Sequence, residues 1–423
     1  MDSMNLKSRI FTRLKYLWEQ NLFKYAVIIN LFYFVLSIIL FFLLYSEKND
    51  FMIFYQAGDL FLNDINNLYN QTNYLWDFRY FPLSALIFIP FSILNIESAF
   101  IVFNVFNIFL NILICFFAYK IIIMVRYKDH EVDDKRVIKY ICIYLMGLPH
   151  VLNYIYGQIN LYITFFILIS LYIFIKYQKF KWQFLASLIL GMSIIIKPTS
   201  FFLIPFLIIF QFDIEKKKFN FDLFTTLGRL VGAVIPVSLN FILFFMYPSL
   251  WNGFLNTNFT GSNPTALNFS FSISKLITNF CYFFNISFNQ LYVLIGVICV
   301  VGILGFIIYV LRRFEKNSII YGYALGIVIM LLAYYDSWDH HLLNLTPVLI
   351  IIIFNLPRQS EIGKSIKSSL FFFSFFDLMF LGIWYLIYPL FPFNFGSTFF
   401  LILTFYAIGK YCLRRKQGES VEG

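Results

Sequence analysis

Charge is scarce in this chain: Asp, Glu, Lys and Arg make up 13% of its 423 residues, while 60% are hydrophobic and 22% aromatic. A soluble domain carries about twice that share of charge, so a water-soluble globular fold is excluded and the solvent for most of the surface is lipid. Cysteine is sparse as well. Cys115, Cys142, Cys281, Cys299 and Cys412 form no CxxC pair, and four of them lie in or beside apolar runs, which argues against both a disulfide framework and a zinc site. No phosphate loop, dinucleotide fingerprint or soluble nucleotide domain can be found, so ATP or a nucleotide sugar has no place to bind. No internal repeat is evident either, which sets the chain apart from transporters built from two similar halves.

What the chain has is long apolar runs. Residues 24 to 45 form a stretch that is uncharged after Lys24 and able to cross roughly 30 Å of hydrocarbon as a helix, and such stretches recur to residue 412. Twelve Pro and nineteen Gly scattered through them favour helices over a barrel. The first run is preceded by several charges and followed by no small-residue cleavage pattern, so it is not read as a removable signal peptide. The net charge of +10 orients these runs instead of marking a nucleic-acid binder. With the N-terminus inside, 28 of the 32 basic residues fall on one side, and only Lys48, Arg79, Lys197 and Lys275 lie opposite. Twelve crossings follow, near 24–45, 98–125, 137–152, 158–176, 182–197, 199–211, 223–247, 291–311, 317–335, 342–357, 369–390 and 395–412. The expected fold is an all-α polytopic membrane protein of one domain over 1–423, with a cytoplasmic N-terminus (1–23) and tail (413–423) and outer loops at 46–97 and 248–290.

Two stretches interrupt the simple helix count. Residues 81–95 are apolar but short and carry two prolines, so they are read as juxtamembrane or re-entrant helices on the outer face. Residues 182–211 rise and return around Lys197-Pro198, which places that vertex outward and just below the membrane surface.

Five distant segments bring ionisable or polar groups to this outer side. Asp50 stands at the lip of the first crossing, either as a helix N-cap or as a functional carboxylate at the membrane boundary. After it, Gln56, Asp59 and Asn63 share one face of a helix lying in the interface, and Arg79 follows. The GQIN turn spans Gly157 to Asn160. Lys197 is either a snorkelling lysine or, given the cost of intramembrane charge, part of a site. The cluster Asp336-Ser337-Trp338-Asp339-His340-His341 holds two of the four histidines. It is either a polar interhelical turn or a site; adjacent histidines seldom share one metal ion, so no metal ligands are assigned. His130 is read as a solvated residue of an inner loop, and His150 as either lining a cavity or satisfying a backbone carbonyl.

In this order the motifs resemble glycosyltransferase family 87, the polyprenyl-phosphate-mannose-dependent mannosyltransferases of the class C membrane fold. The resemblance runs from Asp50 through Tyr55-Gln56-Ala57-Gly58, Leu68-Tyr69, Arg79-Tyr80-Phe81-Pro82, Pro90, Gly157-Gln158-Ile159-Asn160 and Lys197-Pro198 to Ser337-Trp338-Asp339-His340-His341. One departure is Tyr335-Asp336, where the family pattern leads one to expect a proline before Ser337. The resemblance implies Asp50 as catalytic base. It implies Lys197, Arg79, His340 and His341 at the donor phosphate, and Tyr55, Tyr80, Gln158, Asn160, Trp338 and Asp339 as substrate-binding residues. It implies a polyprenyl-phosphate sugar as donor and a glycan, glycolipid or glycoprotein as acceptor. It implies membrane lipid as surroundings, no nucleic acid, and an extracytoplasmic active site with both termini cytoplasmic. No cofactor is implied beyond the donor itself; a divalent metal is compatible but not predicted. The alternatives are a polytopic transporter or lipid flippase, and a membrane acyltransferase that uses a histidine as base.

Overall fold

A computed structural model of the chain describes residues 15–45, 49–130, 134–213, 217–260, 269–312, 317–388, 390 and 396–413. Lys48, most of the expected cytoplasmic N-terminus and nearly all of the tail lie outside the described residues.

The chain is a bundle of helices. The first, α1 (Asn21–Leu40), runs on through a π-helical turn to Tyr45, and α2 (Asp50–Asn63) follows. Short 3₁₀ turns and a single α turn at Ile89–Ser92 lead to α3 (Ile96–Val125), which is capped by the Asn95 side chain accepting from Ser98 N–H. Residues 81–95 are thus short helices, as their length and two prolines require. Next come α4 (Asp134–Met146), α5 (Pro149–Ile155), α6 (Asn160–Lys176) and α7 (Phe180–Ile196). A 3₁₀ helix at Pro198–Leu207 returns from the Lys197 vertex. Beyond it lie α8 (Leu223–Met246), α9 (Pro248–Leu255), α10 (Ile273–Phe283) and α11 (Gln290–Val310, with a π-helical turn inside). The last five are α12 (Ile319–Ala333), α13 (Leu342–Asn355), α14 (Glu361–Phe375), α15 (Asp377–Ile387) and α16 (Gly396–Leu413).

Five described helices are long and apolar enough to cross a bilayer: Asn21–Leu44, α3, α8, α11 and α16; α14 and α15 make a sixth if taken as one span bent by 61°. Three of the expected crossings take a different form. The 137–152 segment breaks at Gly147-Leu148, because Pro149 lacks the N–H that a continuing helix needs and opens α5 instead. The 369–390 segment breaks at Phe376. The 199–211 segment is 3₁₀ helix and then strand. That strand, β1 (Phe210–Asp213), pairs antiparallel with β2 (Lys218–Phe221) in the register Phe210 to Phe221, so the chain is not purely helical. Alternating Phe on both strands, with the Phe210 and Phe219 rings stacked at 5.2 Å, accounts for the hairpin.

Burial separates two kinds of apolar helix. Every residue of α12 is buried, and so are all residues of α13 except the last. By contrast only 22% of the most apolar window of the first span and 33% of that of α8 is buried, leaving Phe241, Phe245 and Met246 outward as a lipid-facing surface would require. Helices approach closely where side chains vanish. A Cβ on Gly191 of α7 would lie 2.4 Å from the Ala233 carbonyl oxygen of α8, and one on Gly232 would lie 2.7 Å from the Phe184 oxygen.

Candidate active site

The site gathers at helix ends on one side of the bundle. Asn49 begins it: its side-chain oxygen accepts from Phe51 N–H at 2.9 Å, and its amide donates to the Ile155 carbonyl. Asn49 is therefore the cap of α2, and the alternative that made Asp50 the N-cap is corrected. Asp50 is the first helical residue, where its carboxylate is free for other work and is favoured by the helix dipole.

Gly157 decides what Asp50 meets. It sits at φ +60°, and a Cβ there would come within 2.5 Å of Phe51 Cβ, so both backbone and space require glycine. This turn lays the GQIN segment against α2, where Gln158 Nε2 donates to Asp50 Oδ2. Burial pushes the Asp50 carboxyl above its ordinary value, while the Gln158 hydrogen bond and the charge of Lys197 pull it back.

Lys197, 5% exposed, terminates α7 in extended backbone. Its Nζ lies 3.3 Å from Asn160 Oδ1 and 2.6 Å from His341 Nε2. His341 Nδ1 accepts Trp338 N–H at 3.0 Å, which fixes the proton of a neutral ring on Nε2. The His340 ring lies 4.4 Å from that of His341, and burial together with the Lys197 charge pushes both imidazoles well below the usual histidine range. Burial thus favours the neutral form of both rings.

Arg79 and Tyr80 form the rim. Arg79 Nη1 lies 3.1 Å from Asp336 Oδ2, with 39% and 40% of the two side chains exposed. Burial raises the Tyr80 phenol, with smaller influences from Tyr334, Asp50, Arg79 and Asp336. Two expected site residues are engaged elsewhere. The Tyr55 hydroxyl donates to the Leu94 carbonyl at 2.8 Å, which ties α2 to the juxtamembrane turns. Asp339, 2% exposed, faces Asp377 of α15. Neither Asp339 oxygen has a donor among the described residues, and two carboxylates can bond only through a shared proton; Asp377 Oδ1 also accepts from the Ser397 hydroxyl. Trp338 contributes its backbone N–H, and its ring is 6.5 Å from that of His340.

Sequence reasoning missed Asp336 as a partner of Arg79, and it missed Lys275, Asp377 and Asn344. A lone acid in an apolar run was a signal for Asp377. Asn344 Oδ1 accepts from the Thr164 hydroxyl at 2.8 Å, joining α13 to α6 behind the site. His150 is buried, with Nε2 3.1 Å from Asn111 Oδ1, and His130 Nε2 lies 2.9 Å from the Leu356 carbonyl; neither belongs to the cluster, and His130 is buried where a solvated residue was expected. Among the described residues no group of three or more His, Cys, Asp or Glu is placed to hold a metal.

The model of glycosyltransferase family 87 fits residues 78–334, more than half the chain, and takes in Arg79, Tyr80, Gln158, Asn160 and Lys197, while Asp50 and the 336–341 turn lie outside it. No curated protein and no solved structure matches the chain.

Proposed function

Because the chain belongs to glycosyltransferase family 87, we propose that it transfers a hexose, mannose in our reading, from a polyprenyl-phosphate carrier to an acceptor hydroxyl. The transfer takes place on the outer membrane face and inverts the anomeric carbon. The observation that carries this reading is the Asp50 carboxylate, oriented by Gln158 and within electrostatic reach of the Lys197–His341 pair. A base and phosphate-binding groups side by side are what a displacement at a sugar phosphate needs.

In this reading Asp50 removes the proton from the acceptor hydroxyl as its oxygen attacks C1 of the sugar. The bond between C1 and the phosphate oxygen breaks, and the electron pair leaves with polyprenyl phosphate. Negative charge thus moves from the carboxylate to the phosphate, where Lys197 and the His340 and His341 N–H groups are suited to receive it, since pre-placed donors in a dry site act strongly on developing charge, while Arg79 at the rim is suited to draw the donor phosphate in. Gln158 and Asn160 hold Asp50 and Lys197 in position, and Tyr80 and Trp338 are suited to border the sugar. The acceptor is a glycan, glycolipid or glycoprotein, and the polyprenyl tail runs among lipid-facing helices. We read the fold as class C with twelve crossings, the shorter apolar helices and broken segments completing the count, and with both termini cytoplasmic. The one-sided distribution of basic residues supports that orientation.

The test is transfer of radiolabelled mannose from polyprenyl-phosphate-mannose to endogenous acceptors in membranes containing this protein, beside an equal amount of Asp50→Asn. Transfer by the parent that is lost in the variant supports the reaction and the base. Equal transfer by both removes Asp50 from the mechanism, and transfer only from another polyprenyl-phosphate sugar replaces mannose.

A further inference from the structure

Of the four basic residues expected on the reacting side, one pairs with the Asp336 carboxylate and two more feel its charge. Asp336 pairs directly with Arg79 at 3.1 Å, and its charge reaches both Lys197 and Lys275. Lys275, 4% exposed, lies in the first turn of α10, where its N–H donates to the Ser272 cap at 3.0 Å. The segment before α10 is stitched to the same turn as Asp336: Phe271 N–H donates to the Ser337 carbonyl at 3.0 Å, and Ser337 N–H donates to the Ser270 hydroxyl at 3.2 Å. Lys275 is thus delivered to the site by the backbone, and no sequence motif announced it.

Asp336 is also the position where the sequence departs from the expected proline. Lys197 and Lys275 are deeply placed, but two fifths of this pair is exposed, the situation in which an ion pair holds weakly and exchanges partners readily. A phosphate presents more charge and more acceptor oxygens to a guanidinium than a carboxylate does. We propose that Asp336 is an exchangeable counter-ion that sets the affinity of the site for an anionic lipid phosphate. It neutralises Arg79 and Lys275 until the donor phosphate takes its place, and it returns to them as the product leaves. The product of transfer is a phosphate monoester, more highly charged than the diester donor, so a competing carboxylate matters most for release.

This inference rests on the lipid-phosphate donor proposed above, and a binding measurement separates the two. The probe is farnesyl phosphate, titrated against the purified full chain in detergent by calorimetry, with farnesol and inorganic phosphate as comparisons. Asp336→Asn keeps the size and an oxygen for Arg79 but removes the charge, so it binds farnesyl phosphate about 2- to 5-fold more tightly than the parent while farnesol is unaffected. In an Arg79→Gln background the same substitution gives a smaller gain, because one of the freed cations is missing. Parental binding with no gain in Asp336→Asn, or a loss, overturns the counter-ion role alone. Binding of inorganic phosphate as tight as that of farnesyl phosphate overturns a lipid ligand. Absence of farnesyl phosphate binding in every form overturns the donor reading and this inference with it.

Discussion

The two ends of the charged cluster are built differently. At the inner end, Asp50 is in direct contact with Gln158, and Lys197 with Asn160 and His341, and Gln158, Asn160, Lys197 and His341 are each no more than 6% exposed. At the rim, Arg79 and Asp336 form a single ion pair with two fifths of each side chain open. Buried polar groups that lose a partner cannot turn to water, so each inner contact is costly to break and holds its neighbours in one geometry. A rim pair in high dielectric holds little and is readily exchanged. The difference assigns precision to the inner end and affinity to the rim, and substitutions at the two ends should separate accordingly.

The largest effect is expected at Asp50. Asp50→Asn keeps the shape and removes the proposed base, and transfer measured on membranes should fall by about 10²- to 10⁴-fold with the protein still folded. Next comes Lys197→Met, which keeps the methylenes in their apolar surroundings and deletes the group between Asn160 and His341. A loss of about 10²- to 10³-fold, mostly in kcat, is expected if this nitrogen meets charge that develops during reaction. A loss confined to KM would instead make Lys197 a plain binding residue and erase the contrast with the rim.

Gln158→Leu addresses the inner end by pH. Asp50 must be ionised to accept a proton. Burial already raises its carboxyl, and the Gln158 hydrogen bond is the first of the influences that lower it. Removing that bond raises the carboxyl further, so the acid limb of the kcat/KM profile moves to higher pH in the variant and the rate recovers above it. An unshifted limb would mean that Gln158 does not hold Asp50 during turnover.

How much of this was legible in the sequence depends on the kind of interaction. The longest apolar runs, the break at Lys197-Pro198 and the Gly157 turn carry local signals, and the structure has helices, a helix end and a left-handed turn at those places. The broken segments were harder: Pro149 marks one break openly, but Phe376, where α14 and α15 part, carries no breaker residue. Composition also cannot tell α12, buried on all sides, from α8, which faces outward with much of its surface, since lipid and protein interior are equally apolar solvents. Side-chain partners were the least legible. The Asn49 cap beside Asp50, the Asp339–Asp377 contact and the Arg79–Asp336 pair join residues that are adjacent to a motif or far from any, and the last spans 257 positions of chain. No local pattern encodes such a pairing.

The smallest expected effect is at the rim, and it is the most exacting test of the contrast. Arg79→Lys keeps a cation but loses the planar fork that can grip two oxygens at once. If Arg79 serves only to draw in a phosphate that the inner groups then position, KM for the donor rises by about 2- to 5-fold while kcat is held, the scale of one half-exposed charge contact. Raising the ionic strength should reduce the difference between the parent and the Arg79→Lys variant, because exposed charges are screened while the buried Lys197–His341 contact is not. A kcat loss as deep as that of Lys197→Met, unaffected by salt, would place Arg79 in the transition state and make the rim part of the same rigid machinery as the inner end.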